Sequence, residues 1–482
     1  MKPIQLMVIS ALCISGNEIC SAQTGWNNGG GNSGRNGYSA AAGPLSDSVL
    51  WQVNTSGFFG SPLFIEGDKL VTMRFRSLTD APVECRNLYN GTLLWSTEVT
   101  GSTGRSLHVG IRDQKVFVVR YTESMNDSLF ALDANTGSRI WTANVTVAPY
   151  ITTTAVFDSA GYLYIEGNQK MYKIDPQTGQ MIWQTPSLPM ASGSGEMAIV
   201  NSTYKGYTLE NIGGVSYVWS IDLNTGAKLY NCAVPDLQSG GNVPQSALMA
   251  GMNGIIYTQL TEDNIAALSD DGIQLTLMWQ TKIRGNCPFS LMCMGTNGSV
   301  YAPSNGKVFR LDGMTGTILD SSMTITQGGF YIMRASASDN GLVYVTNGED
   351  FAYAFDQNLV LVWSDQVPFT NTSGICIAPN GLAATAGDNL IKVYGSSNTT
   401  NIPKAELAAF SVYPNPATTF VKITTASELN GIELKISDVT GRVVHLEKLS
   451  GTSSTVDISA LPAGTYWMNL DGGYTDRILV KD

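Results

Sequence analysis

The chain has 482 residues, with 50 glycines, 20 tyrosines, only 14% charged residues and a net charge of −11. Such a glycine-rich, weakly charged composition excludes a helical bundle and suits many short strands joined by tight turns. The acidic balance, with no basic stripe to offset it, excludes nucleic acid as a partner, and the length calls for two or three domains.

Residues 1–22 read as a secretory signal peptide. Lys2 starts it, an apolar run follows from Ile4 to Ile14, and the small residues Ser21 and Ala22 precede Gln23. The run is too short to cross a bilayer, and no later stretch is long and apolar enough to be a transmembrane segment. Leu12 and Ile19 stand just before Cys13 and Cys20, where a lipid-attachment signal needs a small residue. Cleavage after Ala22 without a lipid anchor is therefore expected. The mature cysteines Cys85, Cys232, Cys287, Cys293 and Cys376 are irregularly spaced with no CxxC pair, so a disulfide framework is not expected; Cys287 and Cys293 are near enough in sequence to bridge.

From there to about residue 395 the sequence repeats itself. The segment 291–322 reads LMCMG, SVYAPS, KVFRLD and TILDSS, separated by turns at TNG, NG and GMTG. That is one unit of four short strands. The turn before the second strand recurs at Gly161, Asn253-Gly254, Asn340-Gly341 and Asn380-Gly381. The turn before the fourth recurs as ALDANTGSRIW, KIDPQTGQMIW, SIDLNTGAKLY and RLDGMTGTIL. In these, Asp133, Asp175, Asp222 and Asp312 are expected to accept turn amides, and the glycine to take the left-handed conformation.

Anchors at the end of each unit fall at Trp51, Trp95, Trp141, Trp183, Tyr230, Trp279, Leu319 and Trp363, with gaps of 44, 46, 42, 47, 49, 40 and 44 residues. A four-strand unit with this period is a propeller blade, and the tryptophans are expected to pack on the neighbouring sheet. After Trp363 only three strands remain, GICIAP, LAATAG and LIKVYG, while VLWQVNT around Trp51 lacks partners of its own. The expectation is an all-β chain: an eight-bladed β-propeller closed by that N-terminal strand, followed by a small C-terminal β-sandwich. The domains are then 23–395 for the propeller, 396–409 for a polar linker (GSSNTTNIPKAE lies here), and 410–482 for the sandwich, for which about seven short strands are expected.

The D-x-x-T-G-x-x-x-W pattern resembles the tryptophan-docking motif of the quinoprotein (PQQ-like) β-propeller repeat superfamily. That superfamily includes the quinoprotein alcohol dehydrogenases and the outer-membrane assembly lipoproteins of the BamB type. The stretch Trp26 to Ser39, with GGGNSGRNGYS, resembles the segment that often opens such domains. The C-terminal residues resemble the type A sorting domain of the type IX secretion system. The matching pieces are Tyr413-Pro414-Asn415-Pro416, then Asp438 with Gly441-Arg442, then Leu461-Pro462-Ala463-Gly464-Thr465-Tyr466, and a terminal strand with Lys481. This resemblance implies Sec export, then passage through the type IX machinery, removal of the domain by its sortase, and release or attachment at the outer surface.

The sequence names no catalytic or metal-binding residue. The histidines are His108 and His445, of which the second lies in the sorting domain. No GxSxG elbow, zinc-ligand spacing or phosphate-binding loop is present. Asp270-Asp271 and Glu349-Asp350 fall in expected turns and read as solvated charges. The leading reading is a non-catalytic secreted or surface propeller that binds an unknown protein or glycan without a cofactor. Segments Ser187 to Gly195 and Asp236 to Gln245 are candidate recognition loops. The alternatives that the resemblance implies are a dehydrogenase using PQQ with calcium, and an envelope assembly factor of the BamB type.

Overall fold

The structure is a computed structural model. It describes residues 25–481 except 55–57, 60–61, 76, 78–80, 99–104, 122–127, 147–153, 168, 188–196, 213–214, 236–246, 261–263, 284–290, 305, 327–332, 369–373, 396–409, 439–441 and 471–476. All regular elements among the described residues are strands. The chain divides into two compact units, residues 1–397 and 398–482.

In the first unit, eight sheets follow one another along the chain among the described residues. They span residues 64–97, 105–146, 156–184, 198–234, 247–282, 293–321, 334–366 and 376–394, and are called the first to eighth sheets below. Each of the first seven is built on four successive antiparallel strands. The eighth has three of its own, and Val49–Asn54 supplies the fourth by pairing with Leu390–Tyr394. Turn chemistry sets this meander. Gly254, Gly298, Gly341 and Gly381 all have φ between 75° and 84°, a region closed to most side chains, and each sits in the turn before a second strand.

The sheets do not share one core. Apolar layers lie between neighbours: Phe64, Val71 and Cys85 of the first sheet meet Ile111, Val116 and Val118 of the second. Tyr164 and Trp183 of the third meet Ile199 and Ile221 of the fourth. Such layers bury both faces of a sheet, so the middle strands Leu163–Gly167 and Ala383–Gly387 are buried at every position. The eighth sheet packs in turn on Leu63, Ile65 and Leu70 of the first, which closes the circuit. First strands of successive sheets touch one another, including the eighth with the first, so they line the axis and the fourth strands form the rim.

In the second unit, five strands form one connected sheet around a core that includes Val421, Ile436, Leu449, Tyr466 and Met468. The seven short strands expected from the sequence are five here. The two before Ser437 merge into Phe420–Ser437, and the two before Asp457 merge into Val443–Asp457. The breaks between those short strands are irregularities inside a continuous hairpin: Leu429 faces Gly451 and Asn430 faces Ser450, with register shifts beside them. Gly431 and Gly451, at φ 70° and 80°, let the long strands bend there.

Candidate functional site

The rim tryptophans join sheet to sheet by a repeated hydrogen bond. The indole Nε1 of Trp95 donates to the Ala134 carbonyl of the second sheet at 2.8 Å, Trp141 to Pro176 at 3.0 Å, Trp183 to Leu223 at 3.0 Å and Trp279 to Gly313 at 3.1 Å. Trp51, on the strand that completes the eighth sheet, donates to Leu88 of the first at 2.7 Å. Trp363 donates at 3.2 Å to Pro44, which stands where the eighth sheet has no turn of its own. The indole also explains the motif's glycine. A Cβ at Gly226 would lie 2.5 Å from the Trp183 ring, besides the strain of φ 73° there. The motif aspartate holds the turn: Asp312 accepts the amides of Met314 and Thr315 at 2.9 and 2.8 Å and the Thr315 hydroxyl at 3.1 Å. These bonds hold the Asp312 carboxyl below its ordinary range.

Two of the expected anchors differ. Leu319 is 47% exposed and docks on nothing comparable. Tyr230 replaces the indole with a phenol that donates to Asp270 of the fifth sheet at 2.6 Å. Asp270 is not a solvated turn charge, because it is the last residue of its strand and its side chain is only 7% exposed. It also accepts Tyr207 Oη at 2.7 Å and pairs with Lys205 Nζ at 3.1 Å, and Lys205 bonds Tyr230 as well. Its neighbour Asp271 is the turn-forming residue, taking the amides of Ile273 and Gln274 at 2.8 Å each.

The axis is occupied by the chain's own N-terminal segment. Gly25–Trp26 pairs with the first strand of the first sheet. Asn27 then exchanges backbone and side-chain bonds with Ile111 of the second sheet. Ser33 Oγ donates to Phe157 of the third sheet at 2.6 Å, and its carbonyl accepts the Ile199 amide of the fourth. The carbonyls of Gly34, Asn36 and Gly37 accept the amides of Ala250, Met294 and Ala337, on the fifth, sixth and seventh sheets. The segment thus runs past the first strands of the first seven sheets in turn, and its glycines make that path possible. A Cβ at Gly34 would lie 2.7 Å from the Ala250 carbonyl oxygen, and one at Gly37 2.6 Å from Cys293 Cβ.

Two arginines are buried on this axis. Arg35 is 4% and Arg334 9% exposed. Arg35 Nη1 donates to Thr154 Oγ1 at 2.8 Å. Burial, and then the like charge of Arg334, push the Arg35 guanidinium down to about 9. Burial pushes Arg334 down to about 10. Both remain cations at neutral pH. Neither was singled out in the sequence. The only signal was a lone arginine inside a run of glycine and asparagine.

Among the described residues no group of three or more His, Cys, Asp or Glu side chains could hold a metal ion. His108 lies on Arg105–Arg112, facing Val118 across the sheet, and His445 Nε2 lies 3.2 Å from Glu447. Cys293 is a buried free thiol, as are Cys85 and Cys376, so the bridge considered between Cys287 and Cys293 does not form; Cys287 itself lies outside the described residues. The candidate recognition loops lie outside them too, apart from Ser187.

In the second unit the sorting-motif residues fall at two places. The Pro414-Asn415-Pro416 segment is stapled to the last strand: Asn415 Oδ1 accepts the Val480 amide at 2.9 Å, and Ala417 bridges Lys481. Asp438 accepts the Arg442 amide at 3.2 Å and its Nε at 3.1 Å, while Gly441 lies outside the described residues. Leu461 is buried, Pro462 accepts the Tyr466 hydroxyl at 2.7 Å, and Gly464 pairs with Lys481.

Residues 411–481 match the family described as the secretion system C-terminal sorting domain. The chain is accordingly exported by type IX secretion, to the cell surface or beyond it. No helix among the described residues is long and apolar enough to cross a membrane. No curated protein matches the chain in sequence. Among solved structures, BamB from Moraxella catarrhalis is similar with a TM-score of 0.53 at 14% identity, covering 72% of this chain and 99% of that one. The quinohemoprotein alcohol dehydrogenase ADHIIG from Pseudomonas putida HK5 gives 0.58 at 11%, covering 79% and 81%. The quinohemoprotein alcohol dehydrogenase from Comamonas testosteroni gives 0.55 at 11%, covering 83% and 84%. At these identities the likeness is one of fold, a β-propeller. Residues 35–321, more than half of the chain, match the family described as outer membrane protein assembly factor BamB, and the chain belongs to that family.

Proposed function

We propose that this is a secreted or surface-exposed β-propeller that works by binding, with eight blades corresponding to the eight sheets and a sorting domain that serves its export and is cut off by the type IX sortase. The observation that carries this reading is the axial segment. It is bonded to seven of the eight sheets, which makes the ring a rigid scaffold and leaves recognition to the loops at its two ends. The ligand class at those loops is a protein or a glycan of the envelope or its surroundings. A pull-down from outer-membrane and culture fractions, run beside a glycan array, tests it. Specific capture that persists when the sorting domain is removed supports the reading. Turnover of alcohols with dye reduction after adding PQQ and calcium would overturn it.

A second reading, an assembly role at the outer membrane, is favoured by the family match. It requires the mature protein to reside in the periplasm, whereas the sorting domain directs it outward. Fractionation with surface proteolysis separates the two.

A further inference from the structure

We propose that the outward face of the sorting domain around Trp467 is the surface by which the export machinery takes hold of this chain, and that the partner it fits is a protein offering an apolar pocket edged with acidic groups. The sheet register sets this face. Ile436 lies opposite Met468 and Leu434 opposite Leu470, and all four are buried in the core of the unit. Residues one step along each strand point the other way. Ser437 lies opposite both Val443 and Trp467, and Lys435 lies opposite both Leu446 and Asn469. Residues directly opposite in an antiparallel pair share a face. Val443, Ser437 and Trp467 therefore form one row across three neighbouring strands, and Leu446, Lys435 and Asn469 form the next.

Of the nine tryptophans in the chain only Trp467 is largely exposed, at 48%. Val443 and Leu446 are exposed at 50% and 55%. An indole on an outward face contributes nothing to the core, and tryptophan beside aliphatic side chains is the stuff of binding hot spots. The sorting-motif residues point the same way by elimination. Asn415 is bonded to the last strand, Asp438 to Arg442, Leu461 is buried, and Tyr466 is buried with its hydroxyl on Pro462. They shape the sheet, so recognition falls to the surface that the sheet displays. Lys435 stands across from Leu446, and Lys448 lies two residues beyond Leu446 on the same face. Glu433, opposite Lys448, is 3.6 Å from Lys435. Two cations to one carboxylate leave this face positive on a chain of net charge −11, which calls for acidic groups at the partner's rim. Two further exposed aromatics, Tyr413 and Phe420, stand opposite Lys422 and Asp457, at the far end of the long strand Phe420–Ser437. They supply the control.

This proposal rests on reading residues 411–481 as an export domain served by the type IX machinery, and names the surface that is read. The test uses the full chain in cells that export it. Fractionation and immunoblotting give the share of protein at the surface and in the medium against the share held in the periplasm, and the melting temperature of each purified variant checks its fold. W467A and K435E/K448E should each lower the exported share by about fivefold or more, while W467F and F420A keep most of it. K435E/K448E changes outward side chains alone, so it carries the test should W467A fail to fold. A photo-crosslinking residue at position 467 should join the chain to an envelope protein, and K435E/K448E should weaken that crosslink. Normal export of folded W467A and K435E/K448E overturns the proposal. So does equal impairment by F420A, or a crosslink from position 467 to a second copy of this chain. A chain ended at residue 397 separates the two levels of failure. If that chain is retained while W467A is exported, only the face is wrong; if it is exported as well, the reading of the domain fails too.

Discussion

Replacing Trp183 tests whether the rim indoles hold the ring together. The side chain is 8% exposed, its ring lies 5.7 Å from Tyr164 at a tilt of 55°, and its Nε1 reaches the Leu223 carbonyl of the next sheet. Truncation to alanine removes the buried ring and leaves a cavity between two rigid sheets, at a cost of about 3–5 kcal/mol. Phenylalanine keeps most of the packing and loses the hydrogen bond. The Leu223 carbonyl still accepts Lys173 Nζ at 3.0 Å, so no acceptor is orphaned and the loss is about 1 kcal/mol. Leu319 occupies the same place in the repeat but is 47% exposed, and L319A should cost no more than about 0.5 kcal/mol. Urea denaturation followed by tryptophan fluorescence and circular dichroism measures all three. If W183A and L319A shifted the midpoint equally, the anchors would be incidental to inter-sheet packing and the docking argument would fail.

Other outcomes follow from the same contacts. G226A combines a 2.5 Å clash with the Trp183 ring and a φ of 73°, and should lower the same midpoint by about 1–3 kcal/mol. D270N should destabilise the ring by about 1–3 kcal/mol at pH 7. Burial pushes the Asp270 carboxyl up, but hydrogen bonds from Tyr230, Tyr207, the Gly272 amide and Lys205 outweigh it and hold it low. A carboxyl lowered on folding stabilises above its unfolded value near ~3.9, and that stability is lost as pH falls through the folded value. The gap between D270N and wild type should therefore close in acid below about pH 4. Burial pushes the Cys85, Cys293 and Cys376 thiols up, so they should resist alkylation until the ring unfolds, while the half-buried Cys232 labels before these three in peptide mass spectra. Cutting the chain at residue 397 should leave the melting of the first unit unchanged, since the two units are separately compact.

The parts of this fold that are legible in the sequence are those in which one residue type does one job at a fixed spacing. The Trp183 indole, the Asp312 carboxylate and the Gly226 left-handed turn each meet a local demand that recurs every blade. The strand around Trp51 was legible for a related reason: three strands without a fourth, and one strand without partners, have a single economical pairing. Asp270 was misread because two adjacent aspartates look alike in sequence. Only the register of Asn264–Asp270 shows that one caps a turn and the other points at Tyr230. The long hairpin of the sorting domain was counted as shorter strands because a bulge interrupts a strand pattern without ending the strand. The buried arginines of the axis were not legible at all. Arg35 and Arg334 are 299 positions apart, and what brings them together is a ring that closes only when all its sheets are present.

That closure places unusual weight on the N-terminal residues. Residues 25–54 contribute to the sheet at the start of the ring, to the last sheet of the ring and to the axis between them. Val49–Asn54 seals the rim, as Trp51 bonds the first sheet from the eighth, while the segment before it seals the axis. The rim pairing cannot be complete before residue 394 exists, and the axial contacts extend as far along the chain as Asp339, so the most non-local pairings of the fold are also the ones that complete it, and such pairings are entropically the last to be rewarded. Pro44 links the two seals, since its carbonyl takes both the Trp363 indole and the Tyr344 hydroxyl at the point where the chain passes from axis to rim. Closing the circle with the chain's first strand therefore does more than hide a sheet edge. It carries the preceding segment into the axis, and with it the buried Arg35.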